Sequence, residues 1–363
     1  MALNPLYVQD TLPTTSQAAI REFNDRYLAA IGASVPNGWA DQFAALIPTD
    51  SPETTFPISQ LRTKYVRSEG ESKFKKLGEA AINIKTEEFD DGYQARVMDL
   101  VKKVYAYRQW TMAPARLVLA EEQFRHTTIA NLLTNALSGG TSALCVDGLS
   151  LFNSAHLANI TDGSITSTFS NYQVNTTNIL GSLAGTGTNA SGSGGTTGIA
   201  QIDYLQQEVT NMQTQVLDEN GLIMGVDPDT ILVPYDYYEP VKNMLARNFL
   251  LQVTASATSP FSPAAGAVDN VYKGRFNVVP VRELSVSTGQ TADRYLIDSK
   301  LTGEMPPWIT MRMSVPGSLA LRVFDENTDF FKDTGQIKIS SHIWYGFGTM
   351  FPQAIRRIKG VTR

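Results

Sequence analysis

Cysteine occurs once in the 363 residues, as Cys145, so no disulfide can close within the chain. That usage fits folding in a reducing cytoplasm. Histidine occurs only three times, and His126 has no second His or Cys at ligand spacing. Nowhere do 18 apolar residues run together, which excludes a membrane-spanning helix. The opening "MALNPLYVQDTLPTTSQ" has neither the basic start nor the apolar run of a secretory signal. Positive charge is not in excess: 30 Lys and Arg face 35 Asp and Glu, a net charge of −5. A protein built to grip a nucleic-acid backbone is usually basic, because its affinity comes from neutralising phosphates. What is present is 42% hydrophobic residues, enough for a real core, and a length that suggests about two domains.

Residues 1–55 read as an extended arm interrupted by one helix. "TTSQAAIREFNDRYLAAIG" has a Ser/Thr start, apolar residues at helical spacing (Ala19, Ile20, Phe23, Tyr27, Ile31) and a Gly stop. "DQFAALIPTDSPETTFP" is rich in proline and turn residues without a sustained period, as expected of a segment lying over a surface. From Leu61 to Lys76, six bases (Arg62, Lys64, Arg67, Lys73, Lys75, Lys76) face two acids, Glu69 and Glu71. "EAAINIKTEEF" follows with alternation at Ala80, Ile82 and Ile84, which predicts a long hairpin with a polar tip. Two strands alone are marginal in water, so such a hairpin needs a surface to lie on. It is a nucleic-acid patch, a contact with a neighbouring subunit, or a merely solvated hairpin. Only Tyr65 and Phe74 interrupt the charges, which counts against base stacking.

The most helical stretch runs from Tyr93 to Leu137, with Val97, Leu100, Val101, Val104 and Tyr105 as one stripe. Pro114 is expected to kink or divide it. A continuous rod there would be roughly 70 Å long at about 1.5 Å per residue, long for an ordinary globular core. His126, among charges in "EEQFRH", reads as a surface residue. The Gly/Ser/Thr-rich 181–198 lacks the Gly-Lys-Ser/Thr of a phosphate loop and reads as a surface insertion. Residues 201–300 look like a separate α/β unit. It starts with an amphipathic helix (Leu205, Val209, Met212, Val216), followed by the strand "TILVP", the helix "YYEPVKNMLAR" and further strands. The tail alternates strongly at Leu319, Leu321 and Val323, then at Ile337, Ile339 and Ile343, as long half-buried strands do. "GFG" (346–348) lacks the third glycine and the helix of a dinucleotide site.

"CVDGLSLFNSAH" (145–156) concentrates an Asp, two Ser, a His and the cysteine. "GLSLF" is not a nucleophile elbow, because Phe152 stands where the last Gly of Gly-x-Ser-x-Gly lets a helix pack close. Metal binding needs three or four converging ligands, and here Asp147 and His156 stand nine apart with one Cys nearby. The structural reading is a turn at Asp147-Gly148, Leu151 and Phe152 in a core, and His156 bonded to backbone.

A long helix ending in "NLLTNALSGG" and followed by "DG-x-x-LF-x-x-x-H" resembles the Mu-like major head subunit family of tailed bacteriophages. "GEAAINIKTEEFDDGYQ" is similar to the end of that family's extended hairpin, and "DPDTILVPYDYYEPVKNML" to its central-domain strand–helix step. "DFFKDTGQIKISSHIWYGFGTMFPQAIRRIKG" is similar to the strands that close Hong Kong 97-type capsid proteins. The resemblance spans roughly residues 56–360. It implies an α+β capsid fold divided into an N-terminal arm (1–55), an extended hairpin (56–91) and a peripheral domain with spine helix (92–200). A central α/β domain (201–308), peripheral strands (309–349) and a return to the central domain (350–363) follow.

The resemblance further implies a major capsid protein and no enzyme. Asp147, Gly148, Leu151, Phe152 and His156 become a signature corner, with no cofactor or metal. Hexamers and pentamers of the chain would enclose double-stranded DNA without sequence-specific binding, with portal, scaffold and possibly decoration proteins as further partners. The virion capsid is the place implied, assembled in the bacterial host cytoplasm. For subunit contacts the expectation is that Arg62, Lys64, Arg67, Lys73, Lys75 and Lys76 meet Glu87, Glu88, Asp90 and Asp91 of a neighbour. Three alternatives stay open: an encapsulin-like compartment, a hydrolase using Ser150 or Ser154 with His156, and a nucleic-acid-binding protein working through 62–76.

Overall fold

The computed structural model describes residues 16–33, 38–58, 80–135, 144–159, 166–172, 199–218, 220–246, 249–252, 266–284, 293–313, 321–325 and 327–358. In chain order the elements begin with α1 (Ser16–Ala33), α2 (Trp39–Gln42), β1 (Ala44–Thr49), β2 (Glu53–Ile58), β3 (Ala80–Lys85) and β4 (Glu87–Arg96). Helices α3 (Val97–Lys102) and α4 (Val104–Asn135), the short strands β5 (His156–Leu157) and β6 (Thr168–Phe169), and helix α5 (Ile199–Gln215) follow. Next come β7 (Thr230–Pro234), α6 (Tyr238–Ala246), β8 (Phe249–Gln252), β9 (Gly266–Asp269), β10 (Asn277–Val281) and β11 (Arg294–Ile297). The chain closes with β12 (Trp308–Met313), β13 (Leu321–Phe324), α7 (Asp329–Thr334), β14 (Gln336–Thr349) and β15 (Ile355–Ile358).

The fold is α+β and has two main sheets. In the first, β14 is the axis: β12 and β13 pair antiparallel along one edge and β4 along the other, while β1 extends the sheet parallel to β12. The second has the order β10-β7-β11-β15, with β10 and β7 parallel and β11 antiparallel to both its neighbours. Helix α1 buries Ala19, Phe23 and Tyr27, one residue in four, against α4 and the first sheet. The Phe23 and Trp110 rings meet at 5.0 Å, and the Trp110 indole donates to the Ala19 carbonyl at 3.0 Å. Helix α5 turns Leu205, Val209 and Met212 into the core of the second sheet, as their spacing predicts, and Val216 just beyond its end joins them. A third cluster, with Trp39, Leu151, Phe152, Tyr295, Trp308 and Ile355, joins the two halves.

Three readings of the sequence are corrected. The stretch 41–57 carries two strands, not a segment without period. β1 takes its register from β12, with Ala44 opposite Trp308 and Thr49 opposite Met313, a partner that no local pattern announces. Pro48 is tolerated because β1 is an edge strand. Residues Tyr93 to Arg96 are strand rather than helix, since ladder pairing with β14 from Arg96↔Gln336 to Glu87↔Tyr345 overrides local propensity. Pro114 does not divide the spine: α4 runs through it for 32 residues, about 48 Å, and the break falls at Lys103, whose backbone is extended (φ −116°, ψ 105°).

The "GFG" glycines have a packing reason. A Cβ on Gly346 would stand 2.7 Å from the Lys85 carbonyl oxygen, and one on Gly348 2.8 Å from Ile84 Cδ1. The hairpin β2–β3 therefore crosses β14 where side chains are absent, and Ile84 is buried there with Ile309 and Met311.

Strand β15 is wholly buried and carries Arg356 and Arg357, which pair with Glu208 of α5 and with Asp293. Replacing Glu208 by Leu leaves the Arg356 charge buried without its carboxylate and is expected to cost about 3–5 kcal/mol. The double replacement Glu208→Leu/Arg356→Met is expected to recover most of that loss. Urea unfolding of the three proteins checks this, and a double variant no more stable than Glu208→Leu contradicts it.

Candidate functional site

Asp147 and His156 come together as a buried pair, with Asp147 Oδ2 2.7 Å from His156 Nδ1. The pair is made by a turn. Gly148 adopts φ 74°, a left-handed conformation in which glycine carries no Cβ penalty, and donates its N–H to the Cys145 carbonyl at 2.9 Å. The turn returns Leu149 to Asp147, whose Oδ1 accepts the Leu149 N–H at 3.1 Å. The other ring nitrogen, His156 Nε2, faces the Leu151 carbonyl at 3.1 Å, and the ring stacks on Phe169. Asn171 extends the network: its Nδ2 donates to Leu151 O at 2.6 Å and Pro352 O at 3.1 Å, and its Oδ1 accepts from Asn153 N at 3.0 Å. Leu151 and Phe152 are fully buried, Phe152 against Tyr295.

This arrangement holds no reacting group open to a substrate. The His156 side chain is 0% exposed, and both its nitrogens are engaged, so neither Ser150 nor Ser154 has it as a base. Ser150 Oγ instead points at the Phe152 carbonyl. Burial pushes the Cys145 thiol up and the Asp147 charge adds to this, so the thiolate is disfavoured. Among the described residues no group of three His, Cys, Asp or Glu is placed to hold a metal ion.

The acidic residues lie on β4, whose only partner among the described residues is β14. Alternation along the strand puts Glu87 and Asp91 on the side of Phe89, which packs on Phe124 of the spine at 4.4 Å, and Glu88 and Asp90 on the other. Glu87, Asp90 and Asp91 are exposed. Glu88 is partly committed, accepting from His342 Nδ1 at 2.7 Å and lying 3.5 Å from Arg322. The basic residues Arg62, Lys64, Arg67, Lys73, Lys75 and Lys76 lie outside the described residues, as does the 181–198 insertion.

His126 is not on the surface. It is buried beside Trp39, with Asp41 at 3.9 Å and Glu283 at 4.0 Å, and it occupies the space that a side chain at Gly38 would need. Arg125 pairs with Asp41 at 2.7 Å, also buried. The sequence hides this cluster because its carboxylates come from α2 and from the turn after β10. His342, on β14, is hydrogen-bonded on both ring nitrogens, to Glu88 and Ser340.

His156→Ala and Asp147→Ala are each expected to lose about 3–5 kcal/mol, because each leaves a polar partner buried and unpaired. The double variant is expected to be little worse than either single one. Thermal and urea melts of the three proteins test this, and additive losses contradict it.

Neither a family model nor a curated protein matches the sequence. Solved structures similar to the chain include the procapsid of bacteriophage JBD30, at 14% identity over 99% of this chain and 76% of that one, with a TM-score of 0.47. The mature capsid of bacteriophage PhiM1 is similar at 10% identity over 91% and 89% of the two chains, TM-score 0.48. A virus-like particle from Pyrococcus furiosus is similar at 8% identity over 93% and 98%, TM-score 0.44.

Proposed function

We propose that this chain is a shell-forming subunit, the major capsid protein of a tailed bacteriophage of the Mu-like head type. Its copies join as hexamers and pentamers around double-stranded DNA. The observation that carries this reading is the edge of β4, ten residues long, unpaired among the described residues, lined with carboxylates on both sides and attached to a spine of about 48 Å. An open edge of that length is a template for pairing. Its like charges repel the same edge of another copy and favour a basic surface instead, and the densest basic segment of this chain is 62–76. A contact between two different surfaces is head-to-tail, and head-to-tail contacts that close by rotation give rings. Each contact can be modest, since every subunit engages several neighbours at once. The resemblance of the hairpin, spine, corner and closing strands to phage head subunits supports the same reading. The net charge of −5 suits a container, since an acidic inner wall does not pin the genome it encloses. A hydrolytic role has no support, with His156 sealed in the corner.

Negative-stain microscopy of the purified chain is expected to show rings or round particles, and a monodisperse monomer at every concentration overturns the proposal. Nuclease-protected DNA inside shells from infected or lysogenic cells is expected; a packaged protein cargo instead favours an encapsulin-like compartment. Charge reversal at Glu87, Asp90 and Asp91 is expected to abolish assembly while moving the monomer melt by less than about 1 kcal/mol, since these side chains are exposed. Adding Lys73→Glu, Lys75→Glu and Lys76→Glu to that variant is expected to restore assembly. Sedimentation velocity reads both results, and normal shells from the first variant contradict the contact.

A further inference from the structure

The outer face of the spine helix carries a line of large apolar side chains that no core of the described residues uses. Tyr105, Met112 and Leu119 are 73%, 44% and 59% exposed and stand seven residues apart on α4. Met98 stands seven before Tyr105, on α3 across the break at Lys103, and is also exposed. The opposite face of α4 is fully employed, since Tyr107, Trp110, Ala113, Pro114 and Leu117 are buried. Scattered exposed apolar residues are ordinary on a protein surface, but a straight line of them at one period is not.

A spacing of seven keeps side chains in register along a seam between two helices, because two turns of a slightly underwound helix span seven residues. From Tyr105 to Leu119 the line rises about 21 Å, long enough for a partner helix of about four turns. The fully exposed charge beside it is positive, while Glu122, three residues after Leu119, is half-buried at the C-terminal end of the line. Residues 104–120 contain no Asp or Glu, and Arg108 and Arg116 are exposed next to the line, three residues after Tyr105 and four after Met112.

We propose that this face docks an acidic amphipathic helix from a different protein, with apolar residues on the Tyr105–Met112–Leu119 line and carboxylates against Arg108 and Arg116. A second copy of α4 does not fit. Packed antiparallel about Met112, the two copies bring Arg108 of one against Arg116 of the other, and packed parallel they set each arginine against itself. Among the described residues, α1 and α5 do not fit either, since α1 exposes Arg21, Asp25 and Arg26 around a single Leu28, and α5 exposes Gln and Thr. DNA satisfies the arginines but leaves the apolar line unused. The inference is independent of the shell reading, since it rests on the helix face alone.

The test uses the full purified chain and fluorescein-labelled 21-residue helical peptides with Leu at the a and d positions of three heptads. One peptide carries Glu at e and g, the other Lys. Fluorescence anisotropy is expected to show saturable binding of the Glu peptide and at least tenfold weaker binding of the Lys peptide. Met112→Ser/Leu119→Ser is expected to weaken the Glu peptide at least tenfold. Arg108→Glu/Arg116→Glu is expected to invert the preference, so that the Lys peptide binds better. All four positions are exposed, and unchanged circular-dichroism melts confirm that the variants fold. The proposal is overturned if neither peptide binds the unmodified chain, if both bind equally, or if the serine variant binds the Glu peptide as before. It is also overturned if a 20-base-pair duplex binds at the same face with equal affinity, or if the serine variant instead abolishes association between copies of the chain.

Discussion

Arg356 and Arg357 project from opposite sides of the buried strand β15, one to Glu208 and the other to Asp293. A guanidinium taken out of water costs several kcal/mol unless a carboxylate and further acceptors meet it. The strand is therefore tolerable only when α5, the start of β11 and the segment 166–172 are all in place. Arg356 also donates to the Ser170 carbonyl at 2.7 Å, and the Arg357 backbone N–H donates to the Asn171 carbonyl at 2.9 Å. Through Asn171 this requirement reaches Leu151 and the Asp147–His156 turn. One strand of four residues thus ties the polar corner to the second sheet, and its connection back to β14 is only the short turn at 350–354.

With the buried polar groups committed in this way, the distinctive surfaces of the molecule are left on the outside. The first sheet ends on an acidic edge that no described strand covers, and the spine turns an apolar line to solvent. Both features are costly where water reaches them, and a partner surface that excludes water from them removes that cost. Buried arrangement and exposed surface follow from one another. The corner holds the spine and the second sheet in fixed relation, and only a fixed relation lets separated patches engage several partners at once.

Much of this was legible in the sequence where local pattern and tertiary role agree. The repeat of Ala19, Phe23 and Tyr27 gives α1, and Leu205, Val209 and Met212 give α5. The turn at Asp147-Gly148, the burial of Leu151 and Phe152 and the bond of His156 to a backbone carbonyl follow from their types and order, whereas the buried pair of His156 with Asp147 does not. What was not legible depends on partners distant in the chain. Residues 93–96 suit a helix as well as a strand, and only β14 decides. β1 is set by β12 and interrupted by Pro48. The burial of Arg125, Arg356 and Arg357 has no local signal, because arginine is seldom buried and nothing nearby in sequence marks Asp41, Glu208 and Asp293 as their partners. Pro114 misled because a missing N–H is a local defect, which the buried contacts along a 32-residue helix outweigh.

The claim that neighbouring copies complete this molecule is tested most directly by hydrogen–deuterium exchange along Glu87–Arg96, compared between dilute and assembled protein. Residues facing β14 are bonded in either state, whereas the opposite edge of the strand has no strand partner among the described residues of the single subunit. Exchange at that edge is predicted to slow at least tenfold on assembly and to recover when the assembly is dissociated. Equal exchange at all concentrations, with the edge open to solvent throughout, would contradict the account.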